Sequence, residues 1–471
     1  MRLTKKDPGL DIGFVCHGWY PDVGGVESHT RDLARELAAR GHRVRALCLD
    51  YSEREPYSVS ESTVDDVLVS RMAYRYHDHH ALADLVDNRH AREIVVAWAK
   101  ESELDLIHVH HVTGFSSTVL EGLRELDKPL VMTLHDYWSL CPRGQMLDVE
   151  GVVQTQPDPE RCSTCLKATW PHLMPSAGAE ARGPNGAEVA TDVDAARERT
   201  AYALQCLQAP HRLFTPSEAA KDVYVRAGLA GASIEVVPNG IEVDELAASV
   251  RRLRAVREGD EESDEIRLGV LGTLLPSKGC LELIRAFQDA SVPDLTLEVH
   301  GNMPSYHGDS SYIEEIKRIA ESDPRIRING PYDHDRLAEI LSGLDGVAAP
   351  SRWAEVFGLT VREARAAGLP VLVSSAGDLG SVAADGQAGV VTEVDDHDGW
   401  VEALRAFADY KNRARWRRHK TQPRTAFDMM LQLERAYVDV IEEVTGEKPT
   451  LAHEPGVGKA KRRGLGFFFG R

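Results

Sequence analysis

The sequence predicts an α/β protein built from two doubly wound, Rossmann-like domains, and two observations carry that prediction. Apolar, strand-like runs alternate with helical stretches along most of the 471 residues, a pattern typical of parallel sheets covered by helices on both faces. The pattern starts afresh after the charged stretch 251–265, "RRLRAVREGDEESDE". A chain of this length also exceeds one ordinary hydrophobic core, so two domains are expected.

The predicted elements follow the same order in each half. In the first, the strand "DIGFVC" leads through Gly24 and Gly25 into a helix, "VESHTRDLARELAARG", that ends at Gly41, as helices often do. Later strands are "HRVRALCL", "LDLIHVHH", "KPLVMTLHD" and "HRLFTPS", and the second half adds "IRLGVLGTL", "LTLEVHG", "IRING", "GVAAP" and "PVLVSS". Because doubly wound sheets bind ligands beyond the carboxyl ends of their strands, candidate functional residues are sought in the loops that follow.

The domain boundaries are placed where composition changes. The predicted segments are a first domain at 1–245 with a cysteine-containing insertion at about 141–201, a linker at 246–265, a second domain at 266–420, a helix at 421–446 that packs back on the first domain, and a basic, aromatic tail at 447–471.

The composition limits the classes of function. Lys and Arg number 55 against 74 Asp and Glu, a net charge of −19, which argues against a broad nucleic-acid surface. No apolar run is long enough for a signal peptide or a membrane span, and seven cysteines suit a reducing compartment. A cytoplasmic protein is therefore expected.

Two glutamates eight positions apart, Glu355 and Glu363, raise the question of a site. One interpretation is structural, because Thr360 and Glu363 have the spacing of a capping box. The other is that a helix beginning near residue 359 offers free backbone amides to a diphosphate, with Gly358 allowing close approach. The acids would then accept hydrogen bonds from hydroxyls, and Lys278 would pair with the phosphate or be an ordinary surface lysine.

Five stretches in one order carry a resemblance. They are "YPDVGGVESHTRDLARELAARGHRV", "HDYW", "VVPNGIEVDEL", "GTLLPSKG" and "PSRWAEVFGLTVREARAAGLPVLVSS". Together they resemble the retaining glycosyltransferases of the GT-B fold in family four, over about residues 12–404. Two departures stand out: Thr273 replaces the arginine that often follows glycine before the family's lysine, and Gly377–Ser381, "GDLGS", replaces Gly-Gly-x-x-Glu.

The resemblance implies a role for each matching residue. The catalytic residues would be His135, near the reacting carbon of the donor sugar, Lys278, on the leaving diphosphate, and Glu355, on sugar hydroxyls. Glu363 would bind the ribose. The donor-binding residues would be completed by Gly24, Gly25, Thr273, Gly301, Gly330, Phe357, Gly358 and Leu359.

The acceptor is expected on the side of the first domain. His108 and His110 alternate on a strand and so point to one face, at an end that borders the cleft; Tyr137 in "HDYW" is the third acceptor-side candidate. A metal bound to His108 and His110 is disfavoured, because no third ligand is evident from the spacing.

Two features remain outside that scheme. Cys141, Cys162 and Cys165 are predicted either to hold a structural zinc, with Cys206 or His172 as fourth ligand, or to be free or redox-active thiols. The tail "KAKRRGLGFFFGR" either contacts an anionic membrane at the inner face, where lipid-linked acceptors reside, or is disordered.

The expected function is therefore transfer of a sugar from a UDP- or GDP-sugar to a hydroxyl of a glycan or lipid-linked acceptor. The resemblance implies retention of anomeric configuration, no cofactor or metal required for catalysis, and a place in surface polysaccharide or glycolipid synthesis. The alternatives are a catalytically silent sugar-nucleotide-binding subunit, supported by Thr273, and a nucleotide-sugar epimerase on the same fold.

Overall fold

The computed structural model describes residues 9–21, 24–52, 54–241, 243–260, 265–306, 308–383, 386–419 and 423–458. Residues 459–471, which hold the predicted membrane-binding stretch, lie outside the described residues. Within the described part, no helix is both long enough and apolar enough to span a bilayer.

The strands fall into two sheets. The first contains β1 (Asp11–Val15), β2 (Arg43–Asp50), β3 (Val59–Val64), β4 (Val67–Ala73), β5 (Leu106–Val109), β6 (Leu130–Thr133), β7 (Arg212–Thr215) and β8 (Ile234–Val236). The second contains β9 (Ile266–Leu271), β10 (Leu295–His300), β11 (Ile326–Gly330), β12 (Gly346–Ala349), β13 (Val371–Ser374) and β14 (Gly389–Thr392).

Helices connect most successive strands. They are α1 (Gly25–Ala39), α2 (Arg89–Glu101), α3 (Thr118–Arg124), α4 (Pro159–Thr169), α5 (Asp192–Cys206), α6 (Glu218–Arg226), α7 (Val243–Asp260), α8 (Cys280–Ala290), α9 (Ser311–Ser322), α10 (Leu337–Ser342), α11 (Leu359–Ala366), α12 (Leu379–Val382), α13 (His397–Ala408), α14 (Tyr410–Arg418) and α15 (Ala426–Thr445).

The strand orders confirm two doubly wound sheets. The first sheet runs β3-β4-β2-β1-β5-β6-β7-β8 and the second β11-β10-β9-β12-β13-β14. Only the β3–β4 pair is antiparallel among the described strands. In the first sheet the order reverses between β1 and β5, and in the second between β9 and β12. Such reversals open a crevice at the carboxyl ends of the strands, where the candidate residues lie.

Buried apolar side chains explain why the strands take this arrangement. Ile12, Phe14 and Val15 on β1 are fully buried, as are Leu106, Ile107 and Val109 on β5. These strands are apolar on both faces because helices cover both sides of the sheet. In the second domain, Leu268, Leu297 and Leu372 occupy the corresponding interior.

The predicted linker at 246–265 is largely helical instead. Helix α7 occupies its first part, and the side chain of Val250 is fully buried with Leu337, Leu341 and Val361. Leu246 packs against the same cluster and Ala247 is also buried, although many charged residues surround them in the sequence. Most of the stretch thus packs on the second domain through α10 and α11.

Helix α15 returns to the first domain and packs beside α1. Met429, Leu433 and Tyr437 join the same buried cluster as Leu10 and Phe14. A Cβ atom on Gly240 would lie 2.2 Å from the carbonyl oxygen of Thr425, so the chain entering α7 and the chain entering α15 touch. Both connections between the domains therefore run side by side.

Candidate functional site

The first part of the site is an ion pair between two loops of the second domain. Lys278 follows β9, Glu355 follows β12, and the Lys278 Nζ lies 2.5 Å from the Glu355 Oε1. The Ser351 hydroxyl donates to the same oxygen at 2.7 Å. The lysine nitrogen also lies 5.2 Å from the centre of the Trp353 ring. Glu355 is buried and Lys278 is partly exposed, so the cation faces the open side of this pair.

The second part is the beginning of α11, three residues beyond Glu355. Gly358 precedes the helix with φ +70°, and no side chain caps the helix. The first backbone N–H groups of a helix have no partner within it and carry its positive end. This arrangement suits an anion, and it rules out the capping-box alternative, because Thr360 lies inside the helix rather than before it. The predicted helix start near residue 359 is confirmed.

Glu363 has charged or titratable neighbours from both domains, His334 in the second and Asp32 in the first. Its side chain is 14 % exposed, and His334 Nε2 lies 3.9 Å from its carboxylate. Burial, together with the negative charge of Asp32 on α1, raises the pKa of Glu363 to about 7. A carboxyl group with this pKa is close to half ionised at neutral pH, so it can accept hydrogen bonds from hydroxyls there.

The site loop contacts the first domain directly. A Cβ atom on Gly25 would lie 3.7 Å from Leu359 Cδ1. The Ser217 hydroxyl donates to the Val356 carbonyl oxygen at 2.6 Å. The glycine loop at the start of α1 therefore lies against the start of α11.

The remaining donor-side candidates lie around the same edge of the second sheet. Thr273 is exposed just after β9, and Gly330 ends β11 with φ +76°. A Cβ atom on Gly301 would lie 1.8 Å from the Gly272 carbonyl oxygen, so the loops after β9 and β10 need glycine to pass this closely. The second domain thus brings Thr273, Gly301 and Gly330 to the edge that holds Lys278.

His135 stands across the cleft, just beyond the end of β6. It is partly exposed, and its Nε2 lies 3.2 Å from His110 Nδ1. Burial, with the neighbouring histidines, holds the pKa of His135 well below its usual range. The imidazole is therefore neutral at physiological pH and can exchange hydrogen bonds with a sugar hydroxyl without adding charge.

The three acceptor-side candidates are more buried than predicted. The rings of His108 and His110 lie 3.9 Å apart, which confirms that they share a face. His108, however, is fully buried and bonded to Tyr437 OH at 2.7 Å and Thr133 Oγ1 at 2.8 Å. This corrects the prediction that His108 contacts an acceptor, since α15 covers that end of the ring.

His110 and Tyr137 are also inaccessible, each at 0 % exposure. The Tyr137 ring packs against Trp353 with centroids 6.1 Å apart, so it supports the interface between the domains. Strand alternation alone could not show that the site loop of the second domain would cover this tyrosine.

Four polar residues that sequence reasoning passed over line the first-domain side instead. His111 Nε2 lies 3.2 Å from Asp136 Oδ2, and His17 Nε2 lies 3.1 Å from Glu27 Oε1. The His17 and His111 rings are 4.6 Å apart. Burial tends to raise the pKa of Glu27, but the hydrogen bond and charge of His17 prevail and lower it. The signal was present: His17 and Asp136 follow strands, as His135 does.

One residue of the "GDLGS" segment, which departs from the family pattern, pairs with a residue of α11. Asp378 hydrogen bonds to Arg362 on α11, whose guanidinium carbon lies 4.0 Å from the centre of the Phe357 ring. Burial raises the pKa of Asp378 and lowers that of Arg362, and their mutual attraction opposes both shifts. Sequence reasoning missed Arg362, because its partner is distant in the chain.

The cysteines of the insertion, Cys141, Cys162 and Cys165, line one open pocket but do not assemble a metal cluster. Among the described residues, the groups whose ligand atoms all lie within 4.8 Å are His29–His110–His135 and His42–Glu434–His453. Burial raises the pKa of Cys162 to about 12, which opposes the thiolate that zinc requires. The predicted fourth ligands lie elsewhere: Cys206 beside Glu121 and His172 beside Tyr76.

Comparison with known proteins identifies the families and individual proteins that this chain resembles. A family model for Glycosyltransferase Family 4 matches residues 23–162, and one for Glycosyl transferases group 1 matches residues 252–422. The phosphatidyl-myo-inositol mannosyltransferase of Mycolicibacterium smegmatis is 25 % identical over 398 residues, 84 % of each chain. The D-inositol 3-phosphate glycosyltransferase of Xylanimonas cellulosilytica is 26 % identical over 411 residues, covering 84 % of this chain and 86 % of that one.

Solved structures share the architecture. Sucrose-phosphate synthase from Thermosynechococcus elongatus superposes with a TM-score of 0.63 at 18 % identity, over 92 % of this chain and all of that chain. Anabaena HepE in complex with UDP-glucose gives a TM-score of 0.57 at 16 % identity, over 93 % and 98 %. With both domains matched by family models and the two-sheet fold shared, the chain belongs to glycosyltransferase family 4 and has the GT-B fold.

Proposed function

We propose that this protein transfers a hexosyl group from a UDP- or GDP-sugar to a hydroxyl acceptor, with retention of anomeric configuration and without a metal for catalysis. One observation carries the proposal: Lys278 pairs with Glu355, which lies three residues before the uncapped start of α11, so a cation and free helix amides belong to neighbouring loops of the second domain. Cations and helix N-termini are what a departing diphosphate requires.

The first task of the site is to hold the diphosphate. Lys278 is partly exposed and pairs with Glu355, so it can turn toward an entering phosphate with a small movement. The backbone amides of Phe357, Gly358 and Leu359 then complete the anion site. Stabilising negative charge on the leaving group lowers the barrier for cleavage of the sugar–phosphate bond.

The second task is to orient the sugar and the acceptor. Glu355, released from Lys278, accepts hydrogen bonds from sugar hydroxyls, and the neutral His135 contacts the sugar from the opposite domain. The donor phosphate takes the proton of the acceptor hydroxyl as the new glycosidic bond forms on the same face, so no carboxylate serves as nucleophile. Closure of the two domains excludes water, which would otherwise hydrolyse the donor.

The acceptor we propose is a polyol of the inositol class, free or as a lipid headgroup. Two relatives carry names for acting on phosphatidyl-myo-inositol and D-inositol 3-phosphate. In this chain, the polar group formed by His17, Glu27, His111 and Asp136 borders His135 and offers both donors and acceptors to neighbouring hydroxyls. This assignment places the reaction in glycolipid or surface polysaccharide synthesis.

The test begins with the donor. Thermal shifts are measured with UDP, GDP, ADP, TDP and CMP, each with and without EDTA. A shift with one nucleotide that EDTA does not change supports a metal-independent donor site and identifies the base. The matching sugar nucleotides are then incubated with myo-inositol phosphates, and NMR of the product gives the anomeric configuration. Stabilisation by a nucleotide without any transferred product supports the silent-subunit alternative, and an isomerised donor without acceptor supports the epimerase. Stabilisation by no nucleotide contradicts the donor site itself.

A further inference from the structure

Three histidines of the first domain form a cluster that the proposed reaction does not need as a whole. His29 comes from the middle of α1, His110 from the end of β5, and His135 from the end of β6. Each offers a ring nitrogen, and the three nitrogens all lie within 4.8 Å of one another. One helix and the ends of two strands thus bring imidazoles to one spot inside the domain.

The hydrogen bonding of this cluster is incomplete. His29 is 5 % exposed, and by distance and angle neither ring nitrogen has a partner among the described residues, although Asn239 lies nearby. His110 is fully buried, and its Nε2 also lacks a partner in that part of the chain. Buried polar atoms without partners cost free energy, so the unpartnered ring nitrogens of His29 indicate an absent ligand beside His110 and His135.

The spacing suits a metal ion. Zn–N bonds of about 2.0–2.1 Å at tetrahedral angles place two ligand nitrogens about 3.4 Å apart, and His110 Nδ1 and His135 Nε2 are 3.2 Å apart. The neutral imidazole ring is a common ligand of such ions.

We propose that His29, His110 and His135 bind a divalent transition-metal ion of the zinc type. Imidazole ligands favour Zn²⁺, Ni²⁺ and Cu²⁺ over Mg²⁺ and Ca²⁺, which prefer oxygen. A small open pocket borders His110 and His135. Three protein ligands leave a fourth position for water.

Metal binding at His135 would affect sugar transfer, and this inference rests on the proposed function. A metal ion on His135 occupies the imidazole that would contact the donor sugar, so Zn²⁺ inhibits transfer by competing with the donor. The site is then inhibitory and separate from catalysis, which proceeds without metal. Binding of the ion itself does not depend on that assignment.

The test measures binding first, on the full chain stripped of metal with EDTA and then dialysed. Co²⁺ is titrated in as a spectroscopic substitute for Zn²⁺, with Mg²⁺ as the negative control. The expected result is a stoichiometric visible spectrum of tetrahedral cobalt without thiolate-to-cobalt bands, displaced by Zn²⁺. His29→Gln should weaken metal binding by more than about tenfold. Loss of a residue that only hydrogen bonds to a metal ligand can already weaken binding by that factor, and His29 would be a ligand itself.

Two matched variants separate this site from the others. His453→Gln removes a ligand from the second histidine cluster, and Cys162→Ser removes a thiol from the insertion; both should bind as the parent does. Because His29→Gln could fold poorly, its thermal unfolding without metal is compared with the parent, and the gain in Tm on adding Zn²⁺ is measured for both. No cobalt spectrum in the parent, or a spectrum that survives His29→Gln and disappears in either other variant, overturns the proposal.

Activity is the last readout. Micromolar Zn²⁺ should inhibit the parent and leave His29→Gln at its own rate. Zinc binding at the three histidines without inhibition would retain the metal site and refute the donor role of His135, so the two proposals fail independently.

Discussion

Lys278 and Glu355 form an ion pair of 2.5 Å at the position where the proposed reaction needs each of them for a different partner. The lysine has to reach a phosphate and the glutamate a sugar hydroxyl. Pairing them before the donor arrives satisfies the buried carboxylate, which would otherwise be costly. It also holds the cation in place beside the start of α11. In the proposed reaction, donor binding is thus an exchange of partners rather than the burial of new charge.

Replacing Lys278 with methionine should weaken nucleoside diphosphate binding by more than about tenfold and lower kcat/KM by about 10² to 10³-fold. The reason is that one charge-assisted contact to the leaving group is lost, and such contacts have this worth in other enzymes. Isothermal titration with the nucleotide and initial rates with the sugar nucleotide measure the two effects.

Lys278→Arg serves as the control for charge. Its guanidinium keeps the positive charge with a different shape, so it should retain part of the diphosphate affinity that methionine loses. Equal losses in both variants would mean that shape matters more than charge, and unchanged kinetics in Lys278→Met would remove the lysine from the site.

Glu355→Gln should separate binding from transfer. The substitution keeps the size of the side chain and removes its charge, so we expect nucleoside diphosphate affinity within about threefold of the parent and a transfer rate about 10²-fold lower. The comparison uses the same nucleotide with and without its sugar. A loss of affinity for the nucleoside diphosphate itself would show that Glu355 acts by holding Lys278 in place.

The fold and the donor side of the site could be predicted from the sequence because their signals are local. Parallel strands ending in polar or glycine residues were visible in "IRLGVLGTL" and "GVAAP", and the rule that ligands bind beyond strand ends led to Lys278 and Glu355. The start of α11 followed from Gly358, whose φ of +70° few other residues adopt readily.

The acceptor side could not be predicted in the same way, because its exposure depends on distant parts of the chain. His108 is closed off by Tyr437 of α15, which lies 329 positions away. Tyr137 is covered by Trp353 of the other domain. The alternation of side chains along β5 correctly placed His108 and His110 on one face of the sheet, but it could not indicate which helix would cover that face. Likewise, His29 joins His110 and His135 only when α1 packs on the sheet.

The raised pKa of Glu363 predicts a pH dependence of donor binding. Its ionised form accepts hydrogen bonds from ribose hydroxyls, and the pKa in the folded protein is about 7. Affinity for the sugar nucleotide should therefore rise by up to about tenfold per pH unit as the pH increases through 7. Glu363→Gln should remove this dependence, which titrations across that range would show. A flat profile in the parent would contradict the ribose role.

The same shift predicts a dependence of stability on pH. The pKa of Glu363 in the folded state lies above its ordinary value of 4.5. The protonated carboxyl group therefore stabilises the fold fully below pH 4.5, and this stabilisation is lost as the pH rises through about 7. Relative to the parent, Glu363→Gln should therefore gain in Tm on going from acid to alkaline pH. A difference in Tm that stays constant across this range would mean that the carboxyl group is not buried in solution.

Gly358 should be sensitive to substitution, because it combines a left-handed backbone with a close neighbour. A Cβ atom there would lie 2.5 Å from Leu379 Cδ2, at φ +70°. Gly358→Ala should cost about 1 to 2 kcal/mol in backbone strain and also displace the amides that face the phosphate. Gly368 at the end of α11 is the matched control, because its φ is +78° and nothing lies within 4 Å of its Cβ position.

Thermal unfolding and nucleotide titration of both variants separate strain from function. Gly368→Ala should lose similar stability and keep nucleotide affinity, whereas Gly358→Ala should also lose affinity by about tenfold or more. Equal affinity in the two variants would show that the start of α11 does not bind the phosphate. In that case Lys278 would remain the principal anion-binding group, and the effect of Lys278→Met on affinity should be correspondingly larger.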